Sequence, residues 1–191
     1  GVTVYVVTPK AGVAARNKRR VLIGAHQGGF LFGSRYSALV EAVPIAGRGG
    51  VTVIAVDYRK APQFVFPAAS EDMEAVYRHV LKTTPAANVG IFGCSAGGTL
   101  VGESVARFQA KGLPRPGAVS IMCSGLMKSF WYGGDSQALQ PVFTGRPAPR
   151  SEPGPYFKGA NADDPLVAPG HHPQVLAHFP PTLLVSGTRD I

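Results

Sequence analysis

The sequence predicts an α/β protein with a predominantly parallel sheet flanked by helices, on three observations. Short, continuously apolar runs recur along the chain, as in strands covered on both faces. Helical periodicities separate them, and alternating β and α units imply parallel strands joined by crossover helices. Glycine (24) and proline (17) are abundant, as many tight strand–helix connections require. The 191 residues suffice for one sizeable domain with its own core.

Taken in order, strands are expected at Val2 to Val7, Val21 to Ala25, Val51 to Val56, Val89 to Phe92, Gly117 to Cys123 and Thr182 to Val185. Ala68 to Leu81 predicts a helix, because Met73, Val76 and Val80 share one face and Pro67 suits its first turn. Ala96 to Lys111 predicts another, with Val101, Val105 and Phe108 on one side and Gly112 as its stop. The segment from Leu126 to Asp164 breaks the rhythm and is read as an insertion or cap. Its Phe130, Trp131, Tyr132 and Phe143 either line a pocket above the sheet or plug into the core.

Composition excludes several classes. Hydrophobic residues make up 45% and charged residues 16%, the balance of a globular chain. No run approaches the ~20 apolar residues of a membrane span, and no signal-peptide pattern opens the chain. The net charge is +8, yet its one dense cluster, Arg16, Lys18, Arg19 and Arg20, lacks interleaved aromatics and reads as a solvated loop. No nucleic-acid partner is expected. Cys94 and Cys123 are too few for a disulfide framework and are expected as two neighbouring free thiols.

The most informative stretch is Val89 to Gly98. An apolar strand runs into Gly93-Cys94-Ser95-Ala96-Gly97, and a helix leaves at once. This G-x-S-x-G spacing in a strand–turn–helix context reads as a nucleophile elbow, with Ser95 at the apex above the sheet. A serine hydroxyl needs a base to take its proton and donors to receive the developing oxyanion. Gly28 and Gly29, just past the strand ending at Ala25, would let backbone amides approach a substrate oxygen unobstructed. The amide of Ala96 would add a donor at the start of a helix, whose dipole favours negative charge.

These residues resemble the hormone-sensitive-lipase-like esterases, a branch of the α/β-hydrolases. His26-Gln27-Gly28-Gly29-Phe30 is similar to their H-G-G-G-F oxyanion motif. Asp57-Tyr58-Arg59-Lys60-Ala61-Pro62 is similar to their D-Y-R-x-A-P, and Phe66-Pro67-Ala68-Ala69 to the F-P-A-A that follows. Gly93 to Gly98 resembles their G-D-S-A-G-G, and Pro180-Pro181-Thr182 through Asp190 the segment that ends in the triad acid. Gln27 stands for a glycine, Cys94 for the aspartate before the serine and Gln63 for a glutamate.

The resemblance implies an α/β-hydrolase fold, truncated at both ends, and a serine carboxylesterase or lipase-like hydrolase of short- to medium-chain esters. Ser95 and Asp190 would be catalytic, Gly28, Gly29 and Ala96 would form the oxyanion hole, and Phe30 would touch the substrate. No metal or other cofactor is implied; the expected partner is a small-molecule ester. Chain order in this fold requires a histidine after the acid, yet only Ile191 follows Asp190. His26 belongs to the oxyanion segment and His79 to a helix, while His171, His172 and His178 precede the acid and read as loop residues. The expectation is therefore a piece of a larger hydrolase that is impaired alone, its histidine supplied by a complementary C-terminal part. The alternative is a non-catalytic small-molecule-binding protein on the same fold.

Overall fold

The computed structural model describes residues 1–126 and 154–187, together with 142 and 145. Six strands form one sheet: β1 (Thr3–Val7), β2 (Val21–Ala25), β3 (Thr52–Asp57), β4 (Val89–Cys94), β5 (Ala118–Met122) and β6 (Thr182–Val185). Their spatial order is β1-β3-β2-β4-β5-β6. β1 runs antiparallel to β3, and every other pairing is parallel. Each expected strand is present, with ends shifted by at most two residues.

Helix α1 (Arg35–Gly49) packs on one face of this sheet, while α2 (Ala68–Val80) and α3 (Ala96–Ala110) pack together on the other. The α2/α3 side carries the larger core, built on Ile23, Val56, Tyr58, Ile91, Leu100 and Phe108. The α1 side is thinner: Ala38, Ala42 and Ala46 lie against Val53, Ala55 and Phe92. α1 was not legible in the sequence. Pro44 lies inside it, and its buried stripe is alanine while Tyr36, Val40 and Val43 face outward. Gly50 ends it in the left-handed conformation at φ 60°, returning its amide to the Ala46 carbonyl at 2.9 Å.

This topology creates a reversal. From β2 the chain crosses one face, through α1, to β3; from β4 it crosses the other, through α3, to β5. The carboxyl ends of β2 and β4 therefore feed loops that diverge to opposite sides, leaving a crevice between them where open α/β sheets bind ligands.

Within the described part of the expected insertion, two aromatic residues join the core. Tyr156 and Phe157 are buried; the Phe66 amide donates to the Tyr156 carbonyl at 2.7 Å, and the Ala69 amide to the Tyr156 hydroxyl at 2.8 Å. Phe130, Trp131, Tyr132 and Phe143 lie outside the described residues. Among the described residues no helix is long and apolar enough to cross a membrane.

Candidate active site

β4 ends at Cys94, and the chain reverses at Ser95 into α3. Ser95 has φ 53° and ψ −125°, a conformation that costs a non-glycine residue about 1–3 kcal/mol. The turn is tight enough to forbid side chains on both flanks. A Cβ on Gly93 would lie 2.3 Å from the Gly97 carbonyl oxygen, and one on Gly97 would lie 2.0 Å from the Ala25 oxygen. The Ser95 amide donates to the Met122 carbonyl at 2.9 Å, and the Ser95 carbonyl accepts from the Thr99 amide at 3.1 Å. Gly93, Ala96 and Gly97 are buried while Ser95 is exposed, so the serine alone emerges from the turn.

The second loop starts one strand away, since Ala25 at the end of β2 pairs with Gly93 of β4. Gly28, Gly29 and Phe30 all take positive φ, at 129°, 63° and 58°. The Gly28 carbonyl accepts from the amides of Leu31 and Phe32 at 3.0 and 2.8 Å, which coils the loop. Gly29 is exposed with open space around its α-carbon. Among the described residues, the amides of Gly28, Gly29 and Ala96 donate to no protein acceptor. Three donors on two neighbouring loops at one sheet edge are thus uncommitted.

Buried side chains hold this loop from below. The His26 ring stacks on Tyr58 with centroids 4.3 Å apart, and the Tyr58 hydroxyl donates to the His26 carbonyl at 2.6 Å. His26 Nδ1 lies 2.6 Å from the Gln27 carbonyl oxygen, and a Cβ on Gly33 would fall 2.6 Å from His26 Cε1. Burial pushes the His26 pKa below its ordinary value, favouring the neutral ring. Phe30 stacks on Tyr156 at 4.4 Å and is 1% exposed. Expected to touch substrate, the Phe30 ring instead anchors the loop and presents almost no surface to a ligand. The sequence did not reveal the supporting roles of Tyr58 and Tyr156.

Asp57, at the end of β3, is tied to Lys60 by a 2.7 Å ion pair. Asp190 lies outside the described residues. His79 is on α2, and His178 precedes β6 at the opposite end of the strands from Ser95, with Nδ1 2.9 Å from the Gln174 carbonyl oxygen. Among the described residues no histidine hydrogen-bonds to Ser95, and no cluster of three or more His, Cys, Asp or Glu could hold a metal.

A family model for the alpha/beta hydrolase fold matches residues 22–191. The chain belongs to the α/β-hydrolase fold family. Within this family the chain is 27% identical over 185 residues to an acetyl-hydrolase of Streptomyces hygroscopicus, covering 93% of this chain and 59% of that protein. Esterase E25 superposes with a TM-score of 0.81 at 31% identity, over all of this chain and 58% of its own. A hormone-sensitive lipase from a metagenome library gives 0.74 at 27% identity, covering 100% of this chain and 67% of its own. These relatives assign this α/β-hydrolase to the hormone-sensitive-lipase-like branch. The chain spans about six-tenths of the length of the first two.

Proposed function

We propose that this α/β-hydrolase carries the nucleophile and the oxyanion hole of a serine carboxylesterase acting on short- to medium-chain esters. Ser95 attacks the ester carbonyl as an imidazole takes its proton. The amides of Gly28, Gly29 and Ala96 receive the tetrahedral oxyanion, each donor contributing about 10²–10³ in rate. The alcohol departs, and water releases the acyl group from Ser95 by the reverse path. Asp190 orients the imidazole and stabilises its protonated form. Chain order in this fold places that imidazole after the acid. The acetyl group in the name of the Streptomyces hygroscopicus relative supports a short acyl chain.

One observation carries this reading: the exposed, strained Ser95 lies across the crevice between β2 and β4 from amides that, among the described residues, donate to no protein acceptor. The test is covalent. The whole protein should take one organophosphate on Ser95 and hydrolyse p-nitrophenyl acetate, and S95A should do neither. A folded protein that binds small esters but neither labels nor turns over would establish the binding-protein alternative.

A further inference from the structure

Cys94 directly precedes Ser95, and Cys123 directly follows β5. The strands β4 and β5 are parallel neighbours with Cys94 opposite Met122, so Cys123 lies one residue beyond the partner of Cys94. Strand spacing of ~4.8 Å and a rise of ~3.3 Å per residue put two such α-carbons about 6 Å apart, inside the range that a disulfide spans. In a regular strand Cys123 would point to the opposite face from Cys94. It does not continue the strand: its φ is 49°, which breaks the alternation. Both thiols are free; Cys123 is exposed and Cys94 half-buried. Burial first, and then Cys123 by charge and by a side-chain hydrogen bond, push the Cys94 thiol up to about 11.

We propose that Cys94 and Cys123 form a reversible disulfide clamped beneath the nucleophile turn, made by exchange with a low-molecular-weight disulfide such as oxidised glutathione. The exposed Cys123 thiolate attacks the small disulfide, giving a mixed disulfide and releasing one thiol. The Cys94 thiolate then attacks the Cys123 sulfur and expels the second thiol. Two hydrogens leave the protein and appear on the two thiols released. A bridge reachable from solvent is also readily reduced, which makes it reversible.

The bridge closes around a bond that shapes the site. The Ser95 amide donates to the carbonyl of Met122, so the two cysteines flank that hydrogen bond, one from each strand. Drawing Cys94 toward Cys123 reorients the peptide that enters the strained turn. A displacement approaching 1 Å at a nucleophile is enough for about tenfold or more in rate. This consequence rests on the esterase reading; the bridge itself does not.

The experiment treats the folded protein with oxidised glutathione and reads intact mass and Ser95 labelling separately. The wild type should lose two hydrogens and retain no glutathione. C94S should hold one glutathione on Cys123, and C123S should show neither change over the same time. Labelling of Ser95 by an organophosphate should slow about tenfold on oxidation and recover with dithiothreitol, but not change in C123S. Wild-type protein that keeps glutathione on Cys123, or stays unmodified, overturns the proposal. A cross-linked protein that labels as fast as the reduced one overturns the claim that the bridge reshapes the nucleophile turn. Failure to label in either state, with the mass change intact, would instead refute the esterase reading and leave the disulfide standing.

Discussion

Gly97→Ala is the sharpest perturbation of the site, because one methyl group would test whether the two loops must touch. Its Cβ would fall 2.0 Å from the Ala25 oxygen, 2.7 Å from the Ala25 carbonyl carbon and 2.8 Å from the His26 oxygen. All three are backbone atoms, so no rotamer can relieve the clash. The first gap is about 1.4 Å short of ordinary van der Waals contact. The start of α3 and the end of β2 must therefore separate by roughly an ångström. Overpacking of this kind costs about 1–3 kcal/mol in stability. The same separation moves Ser95 away from Gly28 and Gly29, and misplacement on that scale costs about 10²-fold in rate. Gly29→Ala is the control: nothing lies within 4 Å of its Cβ, so it bears only the strain of φ 63°. Urea denaturation gives the stability change and the organophosphate labelling rate of Ser95 gives the site. Wild-type stability together with wild-type labelling in G97A would refute the claim that the loops abut.

Three further outcomes follow from the same packing. Ser95→Gly should abolish labelling yet stabilise the protein by about 1 kcal/mol in urea, because glycine accepts φ 53° without strain; loss of stability would argue against strain at the apex. Tyr58→Phe removes the hydroxyl that donates to the His26 carbonyl at 2.6 Å, leaving a buried acceptor unpaired. It should cost about 1–3 kcal/mol and slow Ser95 labelling, whereas unchanged labelling would separate this bond from the geometry of the diglycine loop. Glu103 on α3 is 0% exposed with neither carboxyl oxygen hydrogen-bonded, and burial raises its pKa well above the ordinary 4.5. Between 4.5 and that raised value the folded state keeps a proton that the unfolded chain has lost. This group thus makes stability fall as pH rises, by up to about 1.4 kcal/mol per pH unit, and adds no penalty below 4.5. Glu103→Gln should flatten that slope in denaturation measured from pH 5 to 9, and identical slopes would refute a buried neutral carboxyl.

What the sequence disclosed depended on where large apolar side chains point. β2, β4 and β5 carry apolar runs because they are covered on both faces, and α2 places Met73, Val76 and Val80 on its buried side, so periodicity found them. α1 inverts the rule. Its buried stripe is Ala38, Ala42 and Ala46, whose small side chains let it lie close to the sheet, and its bulky residues Tyr36, Val40 and Val43 face out. With Pro44 in the middle, no apolar period and no propensity marks it as a helix. The glycines at 93 and 97 were legible because a turn that tight leaves no alternative residue. The aromatic bed of the diglycine loop was not. Tyr58 and Tyr156 are 98 residues apart and both pack against Phe30, which lies 6.0 Å from one ring and 4.4 Å from the other.

That bed explains why motif and topology agree. A diglycine alone is a flexible turn, and free backbone amides on a flexible turn would reorganise at each encounter with a developing charge. Here the loop is pinned at both ends: His26 between Tyr58 and Gly33, Phe30 between Tyr156 and Phe157. Ala61 donates its amide to the Phe30 carbonyl at 2.8 Å, tying the loop to the segment after β3. Donors fixed before the reaction need no reorganisation during it, which is what makes oriented amides effective toward an oxyanion. The sheet reversal between β2 and β4 sets the two loops side by side, and the aromatic packing keeps one of them rigid. The turn at Ser95 supplies the other half through backbone strain, held by the Met122 hydrogen bond and the glycine contacts.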